Sequence, residues 1–150
     1  MKIRIEIDDE QSEEIVIRCK KMTKEIDDLQ SLIKESFKNK QINIALYKDS
    51  QEFFISIDKI LFFETDGNIV NAHTVDDLFQ VKYKLYELEE MLPSYFMRVS
   101  KSTILNINEI YSINKKIQSS SEVMFQNTYK QVYVSRMYIK PLMEKMKGRY

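Results

Sequence analysis

The sequence is poor in the residues that most small-molecule and metal chemistry requires. It holds one cysteine, Cys19, so no disulfide can close within the chain, and that usage fits a reducing compartment. It holds one histidine, His73, and a single His with a single Cys is too small a set of soft ligands for a zinc site. Two glycines in 150 residues exclude a Gly-rich phosphate cradle. No stretch approaches the ~18 consecutive apolar residues of a membrane span. The N-terminus lacks the basic-then-apolar pattern of a secretion signal, so the protein is expected to be cytoplasmic. No cofactor and no metal are expected.

A catalytic constellation is missing too. His73 sits in the alternating run Asn71-Ala-His-Thr74 and reads as a structural or surface residue. Ser100, Ser102 and Ser135 have no evident base to activate them. The carboxylate pairs Asp76-Asp77 and Glu89-Glu90 fall in a turn and on a helix face, where adjacent acids are solvated. Cys19 lies in a strand-like run and reads as a core thiol. The chain is therefore not expected to be an enzyme.

What the chain does have is length for a core and a marked ordering of charge. A chain of 150 residues buries roughly 70% of its unfolded surface and needs no staples. Its formal charge of zero conceals three unequal parts. Residues 1–45 carry 9 basic and 10 acidic groups, residues 46–94 carry 4 and 10, and residues 95–150 carry 10 and 3. The net charges are −1, −6 and +7. The basic last third either meets an anionic partner or packs against the acidic middle.

The chain opens with Ile3, Ile5 and Ile7 alternating with polar residues, a half-buried strand, and Glu14-Ile-Val-Ile-Arg-Cys19 reads as a second. Asp8 to Ser12 is the polar connection. Thr23 then caps a helix whose Ile26, Leu29, Ile33 and Phe37 recur at helical spacing. Asn39-Lys-Gln41 is the linker. Residues 1–41 thus form a small β-β-α extension, too small for its own core, that must dock on the rest or on a second copy.

From residue 42 to 150 the pattern is mainly strand. Ile42, Ile44 and Leu46 alternate, as do Phe53, Ile55 and Ile57. Ile60-Leu-Phe-Phe63 is a continuous apolar run, the mark of a strand buried on both faces. Asp66-Gly67 supplies the positive φ of a tight hairpin, and Val75 to Leu78 the next reversal. Tyr83 to Leu92 is one short internal helix, stopped by Pro93. Glu122 to Phe125 and Gln131 to Val134 pair around Asn127-Thr128. A C-terminal helix follows Ser135, and Pro141 either kinks it or marks its start. Strand follows strand, so the main body is antiparallel β.

One stretch departs from simple alternation. In Tyr95-Phe-Met-Arg-Val-Ser-Lys-Ser-Thr-Ile-Leu-Asn106, core residues flank the donors and cations Arg98, Ser100, Lys101, Ser102 and Thr103. Such a run suits a loop held up to a polyanion. Arg98, Lys101, Lys115, Lys116, Lys130 and Arg136 all fall at strand ends, loops or helix starts, where a cation can reach phosphate.

These residues carry a family resemblance. Ile57-Asp-Lys-Ile-Leu-Phe-Phe-Glu64, then Asp66-Gly-Asn68, Leu88-Glu-Glu-Met-Leu-Pro93, Phe96 to Asn106 and Val134-Ser-Arg136 follow one another as in LytTR-type DNA-binding domains. The match runs from about Tyr47 to Met146. It implies an elongated antiparallel β-sheet domain whose loops enter successive major grooves of double-stranded DNA. It places base-reading residues at Asn68, Lys101 and Arg136, with Arg98, Ser100 and Ser102 holding the loop and phosphates. Many members carry His-Arg or His-Asn where this chain has Ser100-Lys101, so base readout here rests on a lysine.

The resemblance further implies a transcription regulator acting as a homodimer on repeated half-sites of a promoter. The short segment in front cannot hold a phosphorylatable receiver domain and looks like that of stand-alone regulators, which are paired with a small membrane-protein inhibitor. The other reading of the basic last third is an interaction module for an acidic protein or an anionic membrane.

Overall fold

A computed structural model describes residues 2, 4–7, 14–38 and 42–148. The chain divides into two compact units, Met1–Lys40 and Gln41–Tyr150.

In the first unit, helix α1 spans Lys24–Lys38. Thr23 opens it as expected: its hydroxyl accepts the Ile26 N–H at 3.4 Å and its carbonyl the Asp27 N–H at 3.0 Å. Ile26, Leu29 and Ile33 are half-buried, whereas Phe37 is exposed. The two strands expected before this helix are not formed among the described residues: 4–7 and 14–19 are without a ladder. An isolated two-stranded ribbon is marginal in water, and here its apolar residues gain little burial, Ile7 being 91% exposed. Cys19, expected in a core, is exposed. The expected connection 8–12 and linker 39–41 lie outside the described residues.

The second unit is two antiparallel sheets with two helices. Its elements are β1 (Asn43–Lys48), β2 (Gln51–Ser56), β3 (Phe62–Asp66), β4 (Ile69–His73), β5 (Leu78–Val81), α2 (Leu85–Met91), β6 (Phe96–Arg98), β7 (Thr103–Asn106), β8 (Ile110–Asn114), β9 (Ser121–Phe125), β10 (Gln131–Val134) and α3 (Arg136–Lys147). Seven strands form one sheet in the order β2-β1-β5-β4-β3-β7-β6, and three form the other, β10-β9-β8. The mainly β reading and the antiparallel pairing hold throughout.

The apolar run at Ile60 is the hinge between two cores. Ile60 and Phe63 enter one core with Val70, Ala72, Phe79, Val81 and Leu88 of α2. Leu61 and Phe62 enter the other with Leu105, Val123, Phe125, Val134 and Leu142 of α3. Burial on both faces is what the uninterrupted apolar run required, though the strand itself starts at Phe62 because Ile57–Lys59 forms a 3-10 turn. Ile107–Glu109 forms a second such turn. The buried Asn106 joins the two, its side-chain amide donating to the Ile60 carbonyl at 3.1 Å and its backbone N–H to Leu61 at 2.8 Å.

Turns follow the residues that tolerate positive φ. Asp49 (φ 50°) and Ser50 (φ 64°) link β1 to β2, Gly67 (φ 61°) begins the β3–β4 turn, and Asn127 (φ 60°) lies in the β9–β10 loop. The internal helix is shorter than expected, Leu85–Met91, and Leu92 returns to extended backbone before Pro93. The C-terminal helix begins at Arg136 and contains Pro141, so Pro141 does not mark its start.

Candidate nucleic-acid interface

The loop 99–102 joins β6 to β7 and is held by donors from three elements. Val99 is fully buried beneath it. The Val99 carbonyl accepts the Ser135 N–H at 2.9 Å, and the Ser102 carbonyl accepts the Thr65 N–H at 2.9 Å. Between them, the Ser100 carbonyl accepts Arg98 Nε at 3.0 Å and the Lys101 carbonyl accepts Arg98 Nη2 at 2.5 Å. Four successive carbonyl oxygens are thus engaged by the protein itself. A loop whose carbonyl dipoles are satisfied inward is compatible with an anionic ligand, since little negative potential remains to repel one. The serines close the loop further: Ser100 Oγ accepts the Ser102 N–H at 3.2 Å and lies 3.3 Å from Ser102 Oγ.

Arg98 is the buttress of this loop. Its third contact is an ion pair with Glu89 of α2 at 2.8 Å, which fixes the guanidinium from the far side. With Nε, Nη1 and Nη2 all engaged, it serves the loop rather than the solvent. Lys101 and Arg136 are the reverse. Both are exposed, and among the described residues neither side chain has a hydrogen bond or ion pair. Asn68 is exposed at the second position of the β3–β4 turn.

The hydrogen bonds bring these sites to one end of the second unit. Thr65 ties the β3–β4 hairpin to the loop, and Ser135, just before Arg136, ties the N-terminus of α3 to it. The β8–β9 loop lies on the same end, because Val134 pairs with Ser121 and the Ser121 hydroxyl accepts the Lys116 N–H at 3.1 Å. Not every cation singled out above is available there. Lys116 pairs with Glu122 at 2.9 Å. Lys130 donates to the Asp77 carbonyl at 2.6 Å, and burial lowers its pKa. That contact, with Thr128 Oγ1 on the Val75 carbonyl at 3.2 Å, clasps the two sheets together at the opposite end. So part of the basic third does pack against the acidic middle, while Lys101 and Arg136 do not.

His73 is structural. Its ring stacks on Phe62 at 4.1 Å and 15°, and its buried Nδ1 has no hydrogen-bond partner. Burial and the neighbouring Lys130 charge lower its pKa from 6.5 to about 4. Glu64 Oε2 lies 3.6 Å from Nε2, but it is half exposed and does not offset the burial. Among the described residues, no group of acids, His and Cys is placed to hold a metal ion, and no helix is long and apolar enough to cross a membrane.

Residues 50–147 match the family model described as the LytTr DNA-binding domain. The chain belongs to the LytTr family. Membership makes it a DNA-binding transcription regulator. An uncharacterized HTH-type transcriptional regulator of Staphylococcus aureus strain NCTC 8325 is 30% identical over 97% of this chain and 98% of its own length. A relative carrying the same description in strain MW2 is 28% identical with the same coverage. A solved structure from Bacillus cereus, described as a LytTr DNA-binding domain, matches with a TM-score of 0.63 at 24% identity. It covers 71% of this chain and 96% of that one, and it shows the fold. Helix-turn-helix is not what this LytTr chain contains: among the described residues, strands separate α2 from both α1 and α3.

Proposed function

We propose that this LytTr regulator reads its promoter through the end of the second unit that carries Asn68, Lys101 and Arg136. Loops at that end enter successive major grooves of the duplex. Lys101 and Arg136 contact base edges, Asn68 supports them from the hairpin tip, and Arg98, Ser100 and Ser102 keep the loop in shape. The protein acts as a homodimer on repeated half-sites, with the first unit supplying the contact between copies. The observation that carries this reading is the inward engagement of four consecutive carbonyls in loop 99–102 beside two cations that have no bonded partner among the described residues.

The roles differ in what they do to specificity. An arginine can bond guanine through two parallel donors, which discriminates by about 1–3 kcal/mol against the wrong base. A lysine is a flexible point charge and adds mostly salt-sensitive affinity. Arg136→Ala should therefore weaken the preferred site by about 1–3 kcal/mol and relax its sequence preference, while leaving binding to scrambled DNA nearly unchanged. Titration of both duplexes by fluorescence anisotropy checks this. Wild-type discrimination in the variant would remove Arg136 from the base-reading set.

A further inference from the structure

We infer that Lys82 and Lys84, at the β5–α2 corner, form a second phosphate-binding point of the same interface, gripping the duplex backbone beyond the hairpin tip. The inference rests on the proposed DNA-binding end and extends it sideways by residues that belong to the acidic middle of the sequence.

Strand register puts Lys82 there, and Lys84 follows it at the start of α2. Val70 of β4 pairs with Val81 of β5, so Lys82 stands across from Ile69, next to the Gly67–Asn68 turn. On the other side of the same hairpin, Glu64 pairs with Thr103, and the Thr65–Ser102 bond carries the contact one step further, to the residue next to Lys101. The ends of β5, the β3–β4 hairpin and β7 therefore lie side by side along one rim, in the order Lys82, Asn68, Lys101. Three strand spacings separate β5 from β7, about 14 Å, which is enough to reach a phosphate outside the groove that Lys101 would enter.

The rim sorts charge in a way that the linear sequence hides. Residues 46–94 carry only four lysines, and two of them follow β5 here, Lys82 across from Ile69 and Lys84 at the start of α2. Acids cluster at the other end, with Asp49 in the β1–β2 turn and Asp76 and Asp77 in the β4–β5 loop. Lys48, at that far end, is bound to Asp77 at 2.5 Å. Two acids near the rim are already occupied by the protein: Glu87 accepts the Lys84 N–H at 3.0 Å and Glu89 holds Arg98. Asp66, at the end of β3, is an acid on the rim itself.

The side chains are free to serve. Lys82 and Lys84 are exposed, and among the described residues neither ammonium is in an ion pair. Lys82 Nζ rests over the Tyr47 ring of β1 at 4.2 Å, a contact that leaves its charge unpaired and that it exchanges for a phosphate when DNA binds. Lys84 immediately precedes α2, so its backbone is fixed by the helix start.

The test compares wild type, Lys82→Ala/Lys84→Ala and Lys82→Arg/Lys84→Arg on a random-sequence duplex of about 30 base pairs, roughly three helical turns. Affinity is measured across about 50–200 mM sodium chloride. The alanine variant should bind about threefold to tenfold more weakly, with the slope of log K against log salt shallower by about 2, and the arginine variant should restore both. Equal melting temperatures of the three proteins would show that the loss is not one of folding. An alanine variant with the wild-type slope, alongside a wild type that binds, overturns this inference and leaves the proposed function standing. A wild type that does not bind duplex DNA overturns both.

Discussion

Arg98 and Arg136 look alike in the sequence and differ completely in the fold. Arg98 touches two loop carbonyls and Glu89, whereas Arg136 has no bonded partner among the described residues. Residue type and position marked both only as cations at element ends, and it was the family resemblance that gave them different roles; the fold adds the contacts that engage Arg98 with the loop and leave Arg136 to solvent. His73 is the opposite case, since its place in an alternating run already favoured a structural role. Its consequence is a pH dependence. In the unfolded chain it takes a proton near pH 6.5, and in the fold only near pH 4. The unfolded state therefore binds more protons throughout that window, so stability is full above about pH 6.5 and falls as pH drops toward 4. The slope from this one group is at most about 1.4 kcal/mol per pH unit. His73→Phe keeps a ring on Phe62 and removes the buried unpaired nitrogen. Urea unfolding of wild type should weaken between about pH 7 and pH 5, and the variant should lose that part of the dependence. A variant with an unaltered pH profile would assign acid sensitivity elsewhere.

Elements were legible where local chemistry decides and obscure where partners decide. Asp66-Gly67 announced a hairpin, and Gly67 indeed takes φ +61° with open space around the position of a Cβ. The run at Ile60 announced burial on both faces. By contrast, the alternating isoleucines before residue 8 and the β-branched run before Cys19 carry a strand pattern with no ladder formed among the described residues, because a strand requires a neighbour as well as an alternation. The 3-10 turn at Ile57 was invisible for a related reason, since its end at Ile60 is held by a long-range bond from Asn106, whereas the turn at Ile107 has a local signal that went unread, Asn106 capping it by accepting the Asn108 N–H. The place of Lys82 was hidden in the same way, because only the register Val70–Val81 sets it next to the Gly67–Asn68 turn. The hairpin offers an element-scale test. Gly67→Ala meets no steric obstacle but must hold a left-handed backbone, at a cost of about 1 kcal/mol. It should lower the melting temperature by a few degrees, and it should weaken DNA binding only as far as the turn displaces Asn68. A variant as stable as wild type would mean that the turn relaxes to another type.

Among the described residues, the second unit contains both apolar cores and all ten strands, whereas the first offers one helix and a set of apolar side chains that find little burial. Ile5, Ile7, Val16, Leu32 and Phe37 are all exposed, and a helix of 15 residues is marginal on its own. Folding stability should therefore reside in the second unit and assembly in the first. A chain cut to residues 42–150 should unfold cooperatively, within a few degrees of the full protein. On a duplex with one half-site, its affinity should stay within about threefold of the full chain. On a duplex with two correctly spaced half-sites, the full chain should gain a further factor of about 10²–10⁴ from effective concentration, and the cut chain should not. Sedimentation of both proteins gives the matching readout: dimer for the full chain, monomer for the cut one. If the cut chain remains a dimer and keeps the two-site advantage, the contact between copies belongs to the β body, and the exposed edge strands β2 and β10 become the surfaces to alter.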